Sequence, residues 1–153
     1  MPTHAEKRRL PYSAAEMFAL VADCPAYPEF LPWCAAVRTR ARRAKANGTE
    51  VVESEMVVSF KVFRERFGSR VTLDPAANRI DVVYLDGPFR YLNNHWQFIP
   101  QGEKACDVDF FIDFEFRTRA LRAVIGVVFG EAVRRIVRAF ETRAEHLYGK
   151  RSL

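Results

Sequence analysis

Cys106-Asp107-Val108-Asp109-Phe110-Phe111-Ile112-Asp113-Phe114-Glu115-Phe116 is followed, after Arg117-Thr118, by a stretch of different period, and that change decides the fold. Cys106, Val108, Phe110, Ile112, Phe114 and Phe116 share one parity. Asp107, Asp109, Asp113 and Glu115 take the other. Strict alternation predicts an antiparallel strand with one buried and one wet face. The row of carboxylates lies several ångströms apart on the wet face and is predicted to pair across strands with bases such as Lys7 and Arg9 rather than to hold a metal. After Thr118 the apolar positions Leu121, Val124, Ile125, Val128, Ala132, Ile136, Phe140, Ala144 and Leu147 follow i, i+3, i+4 spacing, which predicts one amphipathic helix of about 30 residues reaching roughly 45 Å. A sheet with one apolar face and a helix with one apolar stripe must pack together. Where the sheet curls around the helix, a space can remain between them.

Upstream, Cys34 to Phe116 reads as a meander of strands. Asn47-Gly48 is a hairpin turn between 35–46 and 49–60. Gly68 interrupts 61–73 and marks a bulge or a close approach. Asp74-Pro75 with Asn78, Asp86-Gly87-Pro88 and Pro100 to Lys104 mark turns around Arg79 to Leu85 and 89–99. Residues 3–10 read as a first strand ended by Pro11. Ser13 is an N-cap for a short helix over Ala14 to Val21, with Glu16 at N3 completing a capping box. Pro25, Pro28 and Pro32 predict a loop or irregular short helix over 24–34. With no repeat, low-complexity tract or linker in sight, residues 1–153 are expected to form one α+β domain.

Composition bounds the function. Hydrophobic residues make up 49% of the 153-residue chain and charged residues 28%, as in soluble globular proteins. No run of about 18 apolar residues predicts a transmembrane helix, and Met1 to Glu6 has no apolar region of a secretory signal. Cys24, Cys34 and Cys106 show no C-x-x-C spacing and cannot all pair, so a reduced, intracellular compartment is expected. The net charge of +5 is unevenly placed. One basic group is Arg38, Arg40, Arg42, Arg43 and Lys45; another is Arg117, Arg119, Arg122, Arg134, Arg135, Arg138 and Arg143. Such a surface attracts the phosphates of RNA or anionic lipid, or is an ordinary solvated face.

Catalytic constellations are poor. His4, His95 and His146 are far apart with no metal-ligand spacing, and no nucleophile elbow or phosphate loop occurs. Without a convincing acid/base pair, the expectation is a protein that is not an enzyme and has neither metal nor cofactor. Gly126-x-x-x-Gly130 is expected either to bring the last helix close to the sheet or to leave room above a cavity. The positive signal is aromatic: 13 Phe, two Trp and five Tyr. The parity of the strands points Phe60, Phe63, Phe67, Leu92, Trp96, Phe98, Phe110 and Phe114 inward, with Ile125 and Phe129 facing them from the helix. Ser69, Arg90 and Asn94 share the inward parity, and buried polar groups need partners. Apolar walls with a few polar groups describe a ligand pocket as well as a core. Phe30, Leu31 and Trp33 belong to the proline-rich segment, which is either a packed plug or a lid or membrane-touching rim.

The motifs Tyr27-Pro28-x-Phe30-Leu31-Pro32-Trp33-Cys34, Gly87-Pro88-Phe89-x-x-Leu92 followed by Trp96-x-Phe98, and Phe114-x-Phe116 before a long helix resemble those of the coenzyme Q-binding START-like family, within the helix-grip superfamily of START and polyketide cyclase/dehydrase proteins. The resemblance runs over essentially the whole chain. It implies a helix-grip fold, a hydrophobic tunnel between sheet and helix, and binding of ubiquinone or a polyprenylated precursor in support of respiration and quinone biosynthesis. Arg90 or Asn94 would meet a quinone carbonyl. Mitochondrial members carry a transit peptide; this chain starts close to its first strand and is expected to be bacterial or already mature. It would be cytoplasmic, with peripheral contact to the anionic inner face of a membrane. One branch of the family is a toxin that binds the ribosome and blocks subunit association, and it shares these motifs. No RNA-recognition motif is present, and no DNA partner is expected.

Overall fold

The computed structural model describes residues 3–60 and 62–153. Met1 and Pro2, part of the N-terminal reading above, and Lys61, the expected start of the 61–73 run, lie outside the described residues. The chain runs β1 (Thr3–Leu10), α1 (Ala14–Ala22), a short 3₁₀ helix (Cys24–Glu29), β2 (Cys34–Ala44), β3 (Glu50–Phe60), β4 (Phe63–Asp74), β5 (Arg79–Asp86), β6 (Phe89–Gln101), β7 (Ala105–Phe116) and α2 (Arg119–Tyr148). The strands form one seven-stranded sheet in the order β1-β7-β6-β5-β4-β3-β2. Every neighbouring pair is antiparallel. The sheet curves around α2 in the helix-grip arrangement.

Local chemistry sets these elements. The Ser13 side chain accepts from the Glu16 amide at 3.0 Å while the Glu16 carboxylate accepts from the Ser13 amide at 2.9 Å, so the predicted capping box starts α1. Thr118 caps α2 by accepting from the Leu121 amide, and Gly149, at φ 88°, ends it. The prolines of 24–34 are accommodated as a 3₁₀ helix and a turn. On the outer face of β7 the expected cross-strand pairs form: Lys7 lies opposite Asp109 and Arg9 opposite Asp107, whose carboxylate it meets at 2.8 Å. Asp107 is more enclosed than a wet face implies, because Gln101 also donates to it at 3.1 Å.

Three sequence expectations change. Leu147 is 46% exposed. The inward position one turn after Ala144 is Tyr148, whose hydroxyl donates to the Glu16 carbonyl at 3.0 Å. Gly126 and Gly130 both face outward on α2; a Cβ at Gly126 would meet nothing, so neither glycine brings the helix to the sheet or roofs a cavity. Gly68 combines both readings offered for it. The β4–β5 register shifts beside it, and a Cβ there would lie 2.5 Å from Arg40 Nη1.

The concave face of the sheet is covered unequally. At one end α1, the 3₁₀ helix and the C-terminal half of α2 pack into a core that includes Met17, Val21, Tyr27, Ile80, Phe98, Phe140 and Ala144. At the other end Phe89, Leu92 and Phe114 form a separate cluster, against which Phe67, Ile125 and Phe129 pack from the sides.

Candidate functional site

Between the second cluster and the N-terminal half of α2 lies a cavity of about 270 Å³. Its sheet wall comes from Met56, Val58 and Phe60 on β3, Phe63, Glu65 and Phe67 on β4, Pro88, Phe89 and Leu92 around the start of β6, and Phe110, Ile112, Phe114 and Phe116 on β7. These are the concave positions of each strand, two residues apart, as the pleat requires. Leu121, Val124, Ile125, Val128, Phe129, Ala132, Val133 and Ile136 of α2 close it, and Trp33 stands at one edge. Among the described residues Glu65 is the only lining side chain that is not apolar. Aromatic edges fix the wall: Phe89 meets Phe67, Tyr84 and Phe114 edge-on and stacks on Phe116 at 4.7 Å, while Phe129 tilts onto Phe114 at 5.6 Å.

Nine of the fifteen residues expected from sequence converge on this space: Trp33, Phe60, Phe63, Phe67, Leu92, Phe110, Phe114, Ile125 and Phe129. Trp96 and Phe98 face inward as expected but lie in the packed core. Phe98 is fully buried under Phe18 of α1, and Trp96 is wedged between Phe110 and Phe140. Phe30 and Leu31 also join that core, Phe30 packing on Tyr27 and Phe140. The proline-rich segment is therefore divided: Phe30 and Leu31 plug the packed end, and only Trp33 turns to the cavity, against Phe60 at 5.4 Å. That turn needs Trp33 at φ 64°, a conformation bulky residues rarely adopt. Its carbonyl is held there by the Ser59 amide at 2.9 Å.

The two polar candidates do not line the cavity. Phe89 pairs with Phe116 and Tyr91 with Glu115, so Arg90 is the extra residue of a bulge. The bulge breaks parity and sends Arg90 to the outer face, exposed and 3.7 Å from Glu115. Asn94 lies opposite Ile112, but its amide donates to the Phe111 carbonyl at 2.8 Å. Ser69 is buried opposite Ser54, away from the lining. Sequence reading passed over Glu65, although its position between Phe63 and Phe67 carried the signal. It also passed over Phe89, whose parity the bulge disguises.

The chemistry available is limited. Burial pushes the Cys34 and Cys106 thiols up to about 11 and raises Cys24 as well, so all three free thiols stay protonated at neutral pH. Among the described residues no cluster of three or more His, Cys, Asp or Glu is arranged to hold a metal. Among them, too, no helix is long and apolar enough to cross a membrane.

Known proteins agree with this geometry. Residues 10–141 match the model of the family described as polyketide cyclase / dehydrase and lipid transport. A protein of Rickettsia prowazekii named ribosome association toxin RatA is 40% identical over 141 residues, 90% of this chain and 92% of that one. The mitochondrial coenzyme Q-binding protein COQ10 homolog B of Xenopus laevis is 31% identical over 98% of this chain and 61% of its own length. The solution structure of an 18 kDa protein from Caulobacter crescentus is 39% identical, with a TM-score of 0.80 over 98% of this chain and all of that one. A cavity walled by sheet and helix, and a family match spanning both walls, have one conclusion: the chain belongs to the polyketide cyclase/dehydrase and lipid transport family, with the START-like fold.

Proposed function

We propose that this protein binds ubiquinone or a polyprenylated precursor in the cavity, does no chemistry on it, and acts as a lipid chaperone for respiration and quinone biosynthesis. The observation that carries the reading is the lining: about 270 Å³ walled by apolar side chains, with Glu65 the one ionisable residue among those described. The volume lies near the small end of ligand pockets, about 300–1,000 Å³, and suits a ring with the first part of its tail. Each buried CH₂ contributes about 0.8 kcal/mol, so an isoprene unit supplies roughly 3 kcal/mol. Among the described lining residues no nucleophile or second acid stands beside Glu65, so the cavity offers no pair for acid/base turnover. The ligand is collected by peripheral contact with a membrane. The relative named as a coenzyme Q-binding protein supports the reading. Mass spectrometry of organic extracts of the natively purified protein tests it: a co-purifying polyprenylated quinone or phenol is expected, and extracts containing only bulk phospholipid overturn it.

A second reading has its own support. Relatives named ribosome association toxin are 33–40% identical over 90–99% of this chain. On that reading the chain associates with the ribosome, through a surface that the cavity does not supply.

A further inference from the structure

The concave face of the sheet is occupied by the core and the cavity, which leaves the opposite face of β2–β4 without a role. Its residues alternate with the cavity positions. Val57 of β3, out of phase with Met56 and Val58, lies opposite Arg66; Glu53 lies opposite Arg70, Ser59 opposite Arg64, Glu55 opposite Arg38 and Val51 opposite Arg43. With Arg40, at the β2 bulge, this face carries six arginines against the carboxylates of Glu53, Glu55, Asp74 and Asp86, a formal excess of two positive charges. The same face of β1, β6 and β7 has Lys7, Arg9 and Arg90 against Asp107, Asp109, Asp113 and Glu115, one negative charge in excess. The sheet is thus polarised from one edge to the other.

The basic half is also organised. Glu55, with its side chain only 11% exposed, meets Arg40 at 2.6 Å, Arg66 at 3.3 Å and Arg38 at 3.9 Å. One carboxylate holds three guanidinium groups, each with five N–H donors, so most donors remain free. Arg40 continues across the row to Asp86 at 3.2 Å, and it lies flat because Gly68 has no side chain beneath it. Arg43 and Arg64 make no ion pair among the described residues. Positioned guanidinium forks match the oxygens of phosphates, bidentately and with little ordering cost.

We propose that the outer face of β2–β4 is a binding surface for the phosphate backbone of RNA. A lipid surface fits less well, for two reasons. Lipid enters the cavity from the concave side, whereas these arginines point the other way. Interfacial membrane binding also needs apolar side chains among the basic ones, and among the described residues the exposed large hydrophobic residues near this face are confined to Val62 in the β3–β4 turn and Val83 and Leu85 on neighbouring β5. Backbone contacts position RNA without reading its sequence. This proposal deepens the ribosome reading and is independent of the lipid reading.

The test uses the full chain and three targets: a labelled RNA duplex, isolated ribosomal subunits, and phosphatidylglycerol vesicles. The variant is Arg43→Gln/Arg64→Gln, outside the Glu55 cage, with Arg134→Gln/Arg135→Gln on α2 as the control. Circular dichroism and quinone-analogue binding are expected to be unchanged in both. Duplex affinity is expected to fall about tenfold in the first variant and to hold in the control, and the dependence of log K on log salt is expected to flatten by about 1 per phosphate contact removed. Unchanged duplex affinity in the first variant overturns the proposal, as does an equal loss in the control or a loss confined to vesicles. The two ideas separate on the subunits. Wild-type protein that binds the duplex but does not sediment with subunits removes the ribosome reading and leaves the surface. Wild-type protein and the Arg43→Gln/Arg64→Gln variant sedimenting equally, with duplex affinity also unchanged, removes the surface and leaves the reading.

Discussion

One sheet face and one helix run through both ends of this molecule, yet one end is solid and the other hollow. At the solid end α2 presents Phe140 and a fully buried Ala144 to Tyr27, Phe30 and Trp96. At the hollow end it presents Leu121, Ile125, Phe129 and Ala132 to a wall of similar composition, with a void between. The difference is not hydrophobicity. It is the supply of filler: α1 and all of the proline-rich segment's large side chains except Trp33 pack on the solid end, where Phe18 meets Phe98 and Phe30 meets Phe140. An apolar face left open in this way is bounded by strand-to-strand ladders and aromatic edges, so it keeps its shape without being filled.

Truncating one aromatic at each end is expected to show the difference in packing. Phe98→Ala leaves a cavity where no atom can move in, and is expected to cost about 3–5 kcal/mol in urea unfolding. Phe129→Ala removes a ring that already borders empty space, and is expected to cost about 1–2 kcal/mol. Equal costs would mean that the two ends are packed alike.

A smaller effect is expected from acid. The Arg151 guanidinium holds the Glu16 carboxyl below its ordinary 4.5, by hydrogen bonding first, and Arg9 does the same for Asp107, ordinarily 3.8. A carboxyl with a lower value folded than unfolded stabilises the fold above its unfolded value, and that contribution is lost as pH falls through the folded value. Stability is therefore expected to be flat near neutrality and to fall below about pH 4.5. Arg151 ties the tail after α2 to α1 through Glu16 at 2.8 Å, a contact of the solid end. Arg151→Gln is expected to make the acid limb shallower in unfolding curves collected across pH, without changing the cavity. An unchanged acid limb would place the titrating contacts elsewhere.

Much of this was legible in the residues. The period change at Thr118 places the last strand and helix, and the parity of Phe110, Ile112, Phe114 and Phe116 marks the cavity floor. What parity cannot do is tell a filled inward position from an open one. Trp96 and Phe98 have the pattern of cavity residues, but whether α1 reaches them depends on a loop path that the pattern does not encode. Nor does parity survive a bulge: one extra residue at Arg90 moved it to the outside and hid Phe89. Glu65 was overlooked because a polar residue in an aromatic run reads as an interruption, when its spacing from Phe63 and Phe67 keeps it on the same face. The positive φ of Trp33 has no signature in the residue type itself. The arginines of β2 were visible as a charged run, but that they share an outward face with those of β4 required the register.

A titration of a short-tailed ubiquinone analogue into the purified protein and into Ala132→Phe asks whether the hollow end takes a lipid. Ala132 lines the cavity, so the larger ring fills the void with little cost to folding. Saturable binding of about one ligand per wild-type chain is expected, with a loss of about tenfold or more in the variant while its melting temperature holds or rises, as for an occupied pocket of this size. Absence of saturable binding by a folded wild-type protein, or equal binding by the variant, would contradict it.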